Sequence, residues 1–161
     1  MKDLWDDDGA AECGDDLLAL RVYSSRLIGQ SADLVLHGGG NTSVKASFTD
    51  IFGVAHDVLY VKGSGWDLAT IEAGGFAPVK LESLLQLSRF DRLSDADMVR
   101  AQRAAMLDPS APTPSVEAIL HALIPYRFVD HTHADAVVAL SNTPDGEAGI
   151  RSLYGDRMLI V

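Results

Sequence analysis

Apolar residues recur every three or four positions along several stretches of the chain, a spacing typical of amphipathic helices. The first stripe follows Asp15 and Asp16, either of which suits a helix N-cap, and ends near Gly29. Ser94 with Asp97 three residues later resembles a capping box at the start of another helix. The pattern predicts further helices at residues 80–89, 94–106, 115–123 and 134–140.

Shorter apolar or alternating runs between these helices predict β-strands. They lie at residues 34–36, 42–48, 58–61, 76–79, 126–131 and 158–161. Pro78 indicates an edge position for its strand, because proline cannot donate to a central ladder. Since hairpins and helices are mixed along the chain, we expect an α/β sandwich whose sheet is largely antiparallel.

The chain has 161 residues, the length of one domain, and no repeat or linker divides it. Residues 1–14 are acidic and predict an N-terminal tail or a loosely docked arm, whereas residues 15–161 form the domain. The apolar run at 158–161 would leave an unpaired sheet edge at the terminus. We therefore expect the domain to be C-terminally incomplete and cut from a longer protein.

Charge and composition narrow the range of partners. The chain carries 13 Lys and Arg against 23 Asp and Glu, a formal net charge of −10, which disfavours binding along a nucleic-acid backbone. No apolar run approaches the ~20 residues that span a bilayer, and the N-terminus lacks a signal-peptide pattern. The single cysteine, Cys13, excludes an internal disulfide. We expect a cytoplasmic protein without a nucleic-acid or membrane partner.

Two glycine-containing loops are candidate anion sites. Residues 37–43 read His-Gly-Gly-Gly-Asn-Thr-Ser, and residues 63–65 read Gly-Ser-Gly directly after an apolar strand. Glycine lets backbone N–H groups approach an anion, and Asn41 and the serines add side-chain donors. Together with one lysine, such donors can bind a small phosphate inside an acidic protein. Ordinary connecting loops are the alternative for both segments.

Pro114-Ser115-Val116-Glu117 opens a predicted helix, so the Ser115 hydroxyl and the first-turn N–H groups form a third candidate anion site. The same residues have an ordinary explanation, since a serine N-cap and an early glutamate both stabilise a helix. His121, four residues after Glu117, is expected to pair with that glutamate on the helix surface.

Asp130-His131-Thr132-His133 is the sharpest signal of chemistry in the chain. Residues i and i+2 of an extended strand face the same side, so His131 and His133 can hold one cation while Asp130 faces away. A catalytic zinc takes three protein ligands, so another must come from elsewhere. Two partly exposed histidines without a role are the alternative.

Taken in order, four motifs resemble the class II aldolase/adducin family of zinc-dependent sugar-phosphate aldolases. They are Gly40-Asn41-Thr42-Ser43, Gly63-Ser64-Gly65, Pro114-Ser115-Val116-Glu117 and His131-Thr132-His133. Residues 36–45 are most similar to the aldolase domain of bifunctional rhamnulose-1-phosphate aldolase/alcohol dehydrogenase proteins, in which a short-chain dehydrogenase domain follows. The resemblance covers residues 17–161 and implies a class II aldolase-like α/β/α sandwich with a central, mainly antiparallel sheet.

The resemblance also implies roles for residues. The substrate phosphate would be held by Asn41, Ser43, Ser64, Gly65 and Ser115. Glu117 would be the catalytic acid/base, and His131 and His133 would bind Zn²⁺ with a later histidine. A homo-oligomer, in the family a tetramer, is implied as well, and a downstream dehydrogenase domain would use NAD.

The implied reaction is reversible cleavage of a ketose 1-phosphate, specifically rhamnulose 1-phosphate, to dihydroxyacetone phosphate and lactaldehyde. Pentose-phosphate epimerases and dehydratases of the family share these motifs and stay open as alternatives. A non-catalytic binding module of the adducin type predicts loss of the acid and metal residues, which are present here. Two features depart from the family: Val116 replaces a frequent second serine, and no histidine follows His133.

Overall fold

The computed structural model describes residues 2–159. The helices in this range are α1 (Asp7–Ala11), α2 (Leu17–Gly29), α3 (Leu81–Leu87), α4 (Asp95–Ala104), α5 (Ala118–Leu123), α6 (Asp135–Ser141) and α7 (Gly146–Tyr154). The strands are β1 (Asn41–Thr49), β2 (Ala55–Lys62), β3 (Phe76–Lys80) and β4 (Phe128–His131), and short 3-10 turns occupy Leu68–Thr70, Ala73–Gly75 and Gly155–Arg157.

The four strands form one antiparallel sheet in the order β3-β2-β1-β4. The β1–β2 hairpin places Ser43 opposite Val61, and the β1–β4 pair places Asn41 opposite His131. The strand that contains Pro78 lies at an edge, as its sequence predicts. Because β1 is central, its first residues connect the glycine-rich loop to the histidine strand.

Side chains of the central strand β2 alternate between two apolar cores, one on each face of the sheet. Leu59 and Val61 of β2 pack with α3 and α5, whereas Tyr60 between them packs on the opposite side with α2 and the segment after β2. Helices therefore cover both faces, and the predicted α/β/α sandwich with a mainly antiparallel sheet is confirmed.

The helix start signals explain where two of the longer helices begin. The Asp16 carboxylate accepts hydrogen bonds from the amides of Leu18 and Ala19, and the Ser94 hydroxyl accepts one from the amide of Asp97. Both caps agree with the sequence pattern. Among residues 2–159, no helix combines the length and apolar character needed to cross a bilayer.

The N-terminal segment is more ordered than the predicted tail. Asp6 caps the short helix α1, and its backbone amide and carbonyl both hydrogen-bond the Tyr23 hydroxyl of α2. The rings of Trp5 and Tyr23 also meet edge to face, with centroids 5.5 Å apart. An aromatic contact, two hydrogen bonds and a helix cap thus dock on α2 a segment whose composition predicts a tail or a loosely docked arm.

Three other expectations need correction. Residues 34–36 form turns rather than a strand, because the Ser31 carbonyl accepts from the amides of both Leu34 and Val35. The helix expected from Ser115 begins three residues later, since the backbone up to that serine is bonded to the end of β2. Met158 and Leu159 do not form the predicted terminal strand; the other two residues of that predicted strand lie outside the described range. In addition, helix α7 lies in a segment for which the sequence pattern predicted no helix or strand.

Candidate functional site

A cavity of about 240 Å³ opens where the four sequence motifs meet. Its lining comes from residues 38–41, 62–65 and 115–117, together with His131 and His133. These segments are distant in sequence. Their convergence follows from the sheet order: β1 lies between β4 and β2, so the start of β1 has β4 on one side and the end of β2 on the other.

Backbone hydrogen bonds fix two of the loops against each other. The Ser64 amide donates to the Thr113 carbonyl at 2.9 Å, and the Ser115 amide donates to the Lys62 carbonyl at 3.1 Å. The Gly-Ser-Gly loop and the segment before α5 therefore reach the cavity as one unit.

Glycine is required at two of the lining positions. Gly40 has a φ of +65°, and a Cβ there would lie 2.7 Å from the His131 carbonyl oxygen. Gly65 has open space around it but a φ of +86°, which L side chains rarely adopt. Both glycines thus serve the backbone path that shapes the cavity.

The side-chain amide of Asn41 joins three of the motifs. Its Nδ2 lies 3.1 Å from Ser115 Oγ, 3.0 Å from Glu117 Oε2 and 3.1 Å from His131 Nδ1. The Ser115 hydroxyl also donates to Glu117 Oε2. Among the described residues, the buried Asn41 Oδ1 has no hydrogen-bond partner. One amide therefore orients a hydroxyl, a carboxylate and an imidazole toward the same space.

Opposing effects set the ionisation of Glu117. Burial acts to raise the pKa of its carboxyl, but hydrogen bonds from Ser115 and from its own backbone amide act to lower it, as do the nearby imidazoles of His131 and His121. The lowering effects win, so the pKa of Glu117 lies below its ordinary value. The group is a carboxylate at neutral pH and can accept a proton.

The two imidazoles of the His-x-His motif share one wall of the cavity. The rings of His131 and His133 have centroids 4.8 Å apart and are tilted by 58°. Burial lowers the pKa of His131, which favours the neutral imidazole that a metal requires. Asp130 faces the other side and forms an ion pair with Arg21 at 2.7 Å. Within residues 2–159, no group of three metal-ligating side chains gathers.

Ser43 and His121 differ from their expected places. Ser43 is fully buried and does not line the cavity; its Oγ lies 2.8 Å from Nδ1 of His121. The histidine is not on the helix surface beside Glu117, as expected, but is only 1% exposed. Burial lowers its pKa to about 4, with His131 acting in the same direction. The Gly-Asn-Thr-Ser motif predicted a phosphate-binding role for Ser43, but its hydroxyl is covered by His121 of α5, a contact that the motif alone does not reveal.

Lys62 lines the cavity although the motif assignments leave it out. Its side chain is 3% exposed, and Nζ donates to the Gly38 carbonyl at 2.9 Å, which links the two glycine loops. Burial lowers the pKa of this lysine, while the carboxylates of Asp67 and Glu117 act to raise it. The sequence signal that could have identified this residue is its position, since Lys62 ends an apolar strand directly before the Gly-Ser-Gly loop.

Comparison with known proteins places the chain in a family. Residues 20–158 match the family described as Class II Aldolase and Adducin N-terminal domain. A Bacillus subtilis (strain 168) protein named "Uncharacterized oxidoreductase YuxG" is 39% identical over 161 residues, which are all of this chain and 23% of that protein. The chain thus spans about a quarter of the length of this curated relative.

A solved structure agrees. The N-terminal class II aldolase domain of a conserved protein from Thermoplasma acidophilum is 41% identical, superposes with a TM-score of 0.86, and is matched over 96% of this chain and 70% of its own. The chain therefore belongs to the class II aldolase and adducin family.

Proposed function

We propose that this chain carries the aldolase chemistry of an enzyme that cleaves a small phosphorylated sugar, with Glu117 as the catalytic acid/base. The observation that supports this proposal most directly is the arrangement around Asn41, whose amide contacts Ser115, Glu117 and His131. Candidate phosphate donors, a carboxylate and two imidazoles thereby surround one cavity.

The substrate phosphate occupies the end of the cavity formed by the two loops. Asn41, Ser64, Gly65 and Ser115 all line it and supply neutral donors, and the Lys62 ammonium supplies positive charge. This local cation matters because the chain carries a net charge of −10. Ser43 is not a phosphate ligand in this proposal, because its hydroxyl bonds His121 behind the cavity wall.

The residues present fit part of a zinc site. Two imidazoles share the cavity wall, and the lowered pKa of His131 favours its metal-binding form. We assign His131 and His133 to Zn²⁺, with the remaining ligand supplied from outside residues 2–159. When bound, the ion would act as a Lewis acid on substrate oxygens, worth several kcal/mol of charge stabilisation.

The reaction breaks the bond between the third and fourth carbons of a ketose 1-phosphate. The bonding electrons move toward the ketone, the hydroxyl of the fourth carbon loses its proton to water as that carbon becomes the aldehyde, and the third carbon takes up a proton. The Glu117 carboxylate gains a proton from water and delivers it to the third carbon in cleavage, and it removes that proton in the reverse direction. The Asn41 amide holds the carboxylate in place for this exchange, while the Ser115 hydroxyl turns from Glu117 toward the substrate phosphate.

Replacement of Glu117 by glutamine tests the proposal in the full-length gene product. We expect Glu117→Gln to retain zinc and phosphate affinity while cleavage of rhamnulose 1-phosphate falls by a factor of about 10²–10⁴, since proton transfer is lost. Glu82→Gln, an exposed glutamate on α3, is the matched control and keeps full activity. Near wild-type turnover of the Glu117 variant would overturn this assignment.

Product analysis identifies the substrate class. With rhamnulose 1-phosphate we expect dihydroxyacetone phosphate and lactaldehyde, and a panel of other ketose phosphates tests how narrow the preference is. Epimerised or dehydrated pentose phosphates would replace the aldolase proposal by the related activities. A folded protein with neither turnover nor a metal site would indicate a binding module of the adducin type.

The wider setting is part of the same proposal. The Bacillus relative is named an oxidoreductase, and this chain matches 23% of it, which supports an NAD-dependent dehydrogenase domain alongside the aldolase domain. We propose a cytoplasmic homo-oligomer, a tetramer as the family resemblance implies. Mass measurement of the intact assembly and assay of NAD reduction test these two points.

A further inference from the structure

Polar side chains on one face of β1 bond to successive turns of the segment that carries Glu117. Asn41 contacts the start of this segment through Ser115 and Glu117, and Ser43 contacts His121 one turn later. The Lys45 ammonium then donates to two carbonyls just beyond α5, those of Ile124 and of Tyr126, the latter at 2.8 Å.

The spacing of these contacts matches the repeats of the two elements. Residues i and i+2 of a strand are about 6.8 Å apart, and residues i and i+4 of a helix rise by about 6 Å. Successive side chains on this face of β1 therefore lie opposite successive turns of the segment. Asn41 is opposite Glu117, Ser43 is opposite His121, and Lys45 is opposite the end of α5. We call these three contacts the β1–α5 ladder.

The opposite face of the strand makes a separate set of contacts. Thr42 Oγ1 lies 2.8 Å from Ser25 Oγ on α2, and the Arg21 guanidinium donates to the Ser43 carbonyl. The strand is thus held from behind by α2, while its front face holds α5. The two faces of β1 thus involve one buried serine each: Ser43 of β1 bonds His121 on the front face, and Ser25 of α2 bonds Thr42 on the opposite face.

We propose that Ser43 and His121 are positioning residues, whose hydrogen bond sets the α5 segment so that Ser115 and Glu117 meet Asn41. This inference rests on the proposed function, because it concerns the placement of that function's phosphate donor and acid/base. Neither residue touches the cavity; both act through the segment they hold. The ladder thereby assigns a role to a serine whose motif pointed to direct phosphate binding.

The hydrogen bond can be removed from either side. Ser43→Ala removes the hydroxyl, His121→Leu removes the ring nitrogen, and His121→Asn keeps a polar atom near the Nδ1 position. The control Ser25→Ala removes a buried hydroxyl of α2 that contacts Thr42 on the other face of β1. Thermal unfolding of each variant measures the general loss of stability.

Two readouts report placement rather than stability. The first is the ¹H–¹⁵N signal of the Asn41 side-chain amide, which senses its contacts with Ser115 and Glu117. We expect this signal to move in Ser43→Ala and His121→Leu, and to stay in place in His121→Asn and Ser25→Ala. The second is the affinity for phosphoglycolate, which we expect to fall about five- to tenfold in the first two variants and less than twofold in the others.

A double variant tests whether the two residues act as a pair. Ser43→Ala with His121→Leu should lose no more affinity than the worse single variant, because both remove one contact. Equal effects of Ser43→Ala and Ser25→Ala on the Asn41 signal would reduce the ladder to general stability and overturn the proposal. Wild-type phosphoglycolate affinity in His121→Leu, with loss in Ser43→Ala, would instead make Ser43 a direct ligand and also overturn it.

A further variant separates this proposal from the proposed function. Ser115→Ala removes a candidate phosphate donor that lines the cavity. If it binds phosphoglycolate as tightly as the wild type, the phosphate assignment fails, and the Asn41 signal alone then decides the positioning role. If it loses affinity while Ser43→Ala and His121→Leu keep both the signal and the affinity, only the positioning role fails.

Discussion

The orientation of one amide determines how the candidate site is arranged. With its nitrogen toward Ser115 and Glu117, Asn41 donates to a hydroxyl oxygen and a carboxylate. The flipped orientation would set its oxygen against that carboxylate, so the observed one is favoured. The amide oxygen is then buried without a partner among the described residues, which costs about 1–3 kcal/mol. Accepting such a cost is typical of residues that serve a site rather than stability.

Val116 limits the number of hydroxyl donors in the cavity. It lines the cavity between Ser115 and Glu117 and is 52% exposed, so a serine there needs no repacking of the core. We expect Val116→Ser to raise phosphoglycolate affinity by at least about tenfold, since an added hydrogen bond to a charged group is worth about 1.5–3 kcal/mol. Calorimetric titration measures the change.

The control for this prediction is Val138→Ser. Val138 is a partly exposed valine of α6 outside the cavity lining, so its replacement should leave the affinity unchanged. An unchanged affinity in Val116→Ser would show that this position does not face the bound phosphate.

His121 makes the stability of the fold depend on pH. Burial lowers its pKa from 6.5 to about 4 in the folded chain, so between these values the unfolded chain binds the extra proton. The free energy of unfolding should therefore fall as the pH drops from 6.5 to 4, by up to about 3 kcal/mol, and this contribution should be constant above pH 6.5. Urea unfolding across pH 4–7 tests it. His121→Asn should show a flatter profile, and equal profiles for both proteins would contradict the prediction.

At the scale of helices and strands, the sequence predicted correctly those elements whose position depends on residues close together in the chain. The helix caps at Asp16 and Ser94, the edge strand with Pro78 and the central strand β2 follow from patterns within a few residues. The start of α5 does not, because the backbone of Ser115 is bonded to Lys62, far away in sequence. Tertiary hydrogen bonds there override a good helix-start pattern.

The same distinction explains the candidate site. The motifs predicted which residue types carry chemistry, and the structure brings Asn41, Ser64 and Ser115 to one cavity. Ser43 belongs to the same motif and the same strand face as Asn41, but α5 covers it. Whether a motif residue reaches a ligand thus depends on what packs over it, which no local pattern contains.

The contact between α2 and β4 depends on a buried charge. Arg21 is 1% exposed and pairs with Asp130, which is half-exposed. Asp130→Ala would leave the guanidinium buried without its counter-charge, so we expect the free energy of unfolding to fall by about 3 kcal/mol. Denaturant unfolding measures this loss.

An exposed ion pair on α7 serves as the control for the predicted loss of stability in Asp130→Ala. Glu147 and Arg151 on α7 form an ion pair at 2.9 Å with both side chains largely exposed, so Glu147→Ala should cost less than about 1 kcal/mol. Comparable losses in the two variants would show that the Arg21 charge is not buried as the structure describes.

At the scale of the whole molecule, phosphate binding and metal binding should respond differently when the 161-residue chain is studied alone. The candidate phosphate donors Asn41, Ser64 and Ser115 all line one cavity, whereas His131 and His133 supply only half of a tetrahedral shell. We therefore expect this chain to bind Zn²⁺ weakly and to lack aldol cleavage, yet to retain weak phosphoglycolate binding. Separate titrations with Zn²⁺ and phosphoglycolate test both halves, and His133→Ala should remove the weak zinc binding while leaving the phosphate affinity within twofold. Submicromolar zinc affinity in the chain alone would mean that a third ligand lies within these 161 residues, and the assignment of the metal site would then have to change.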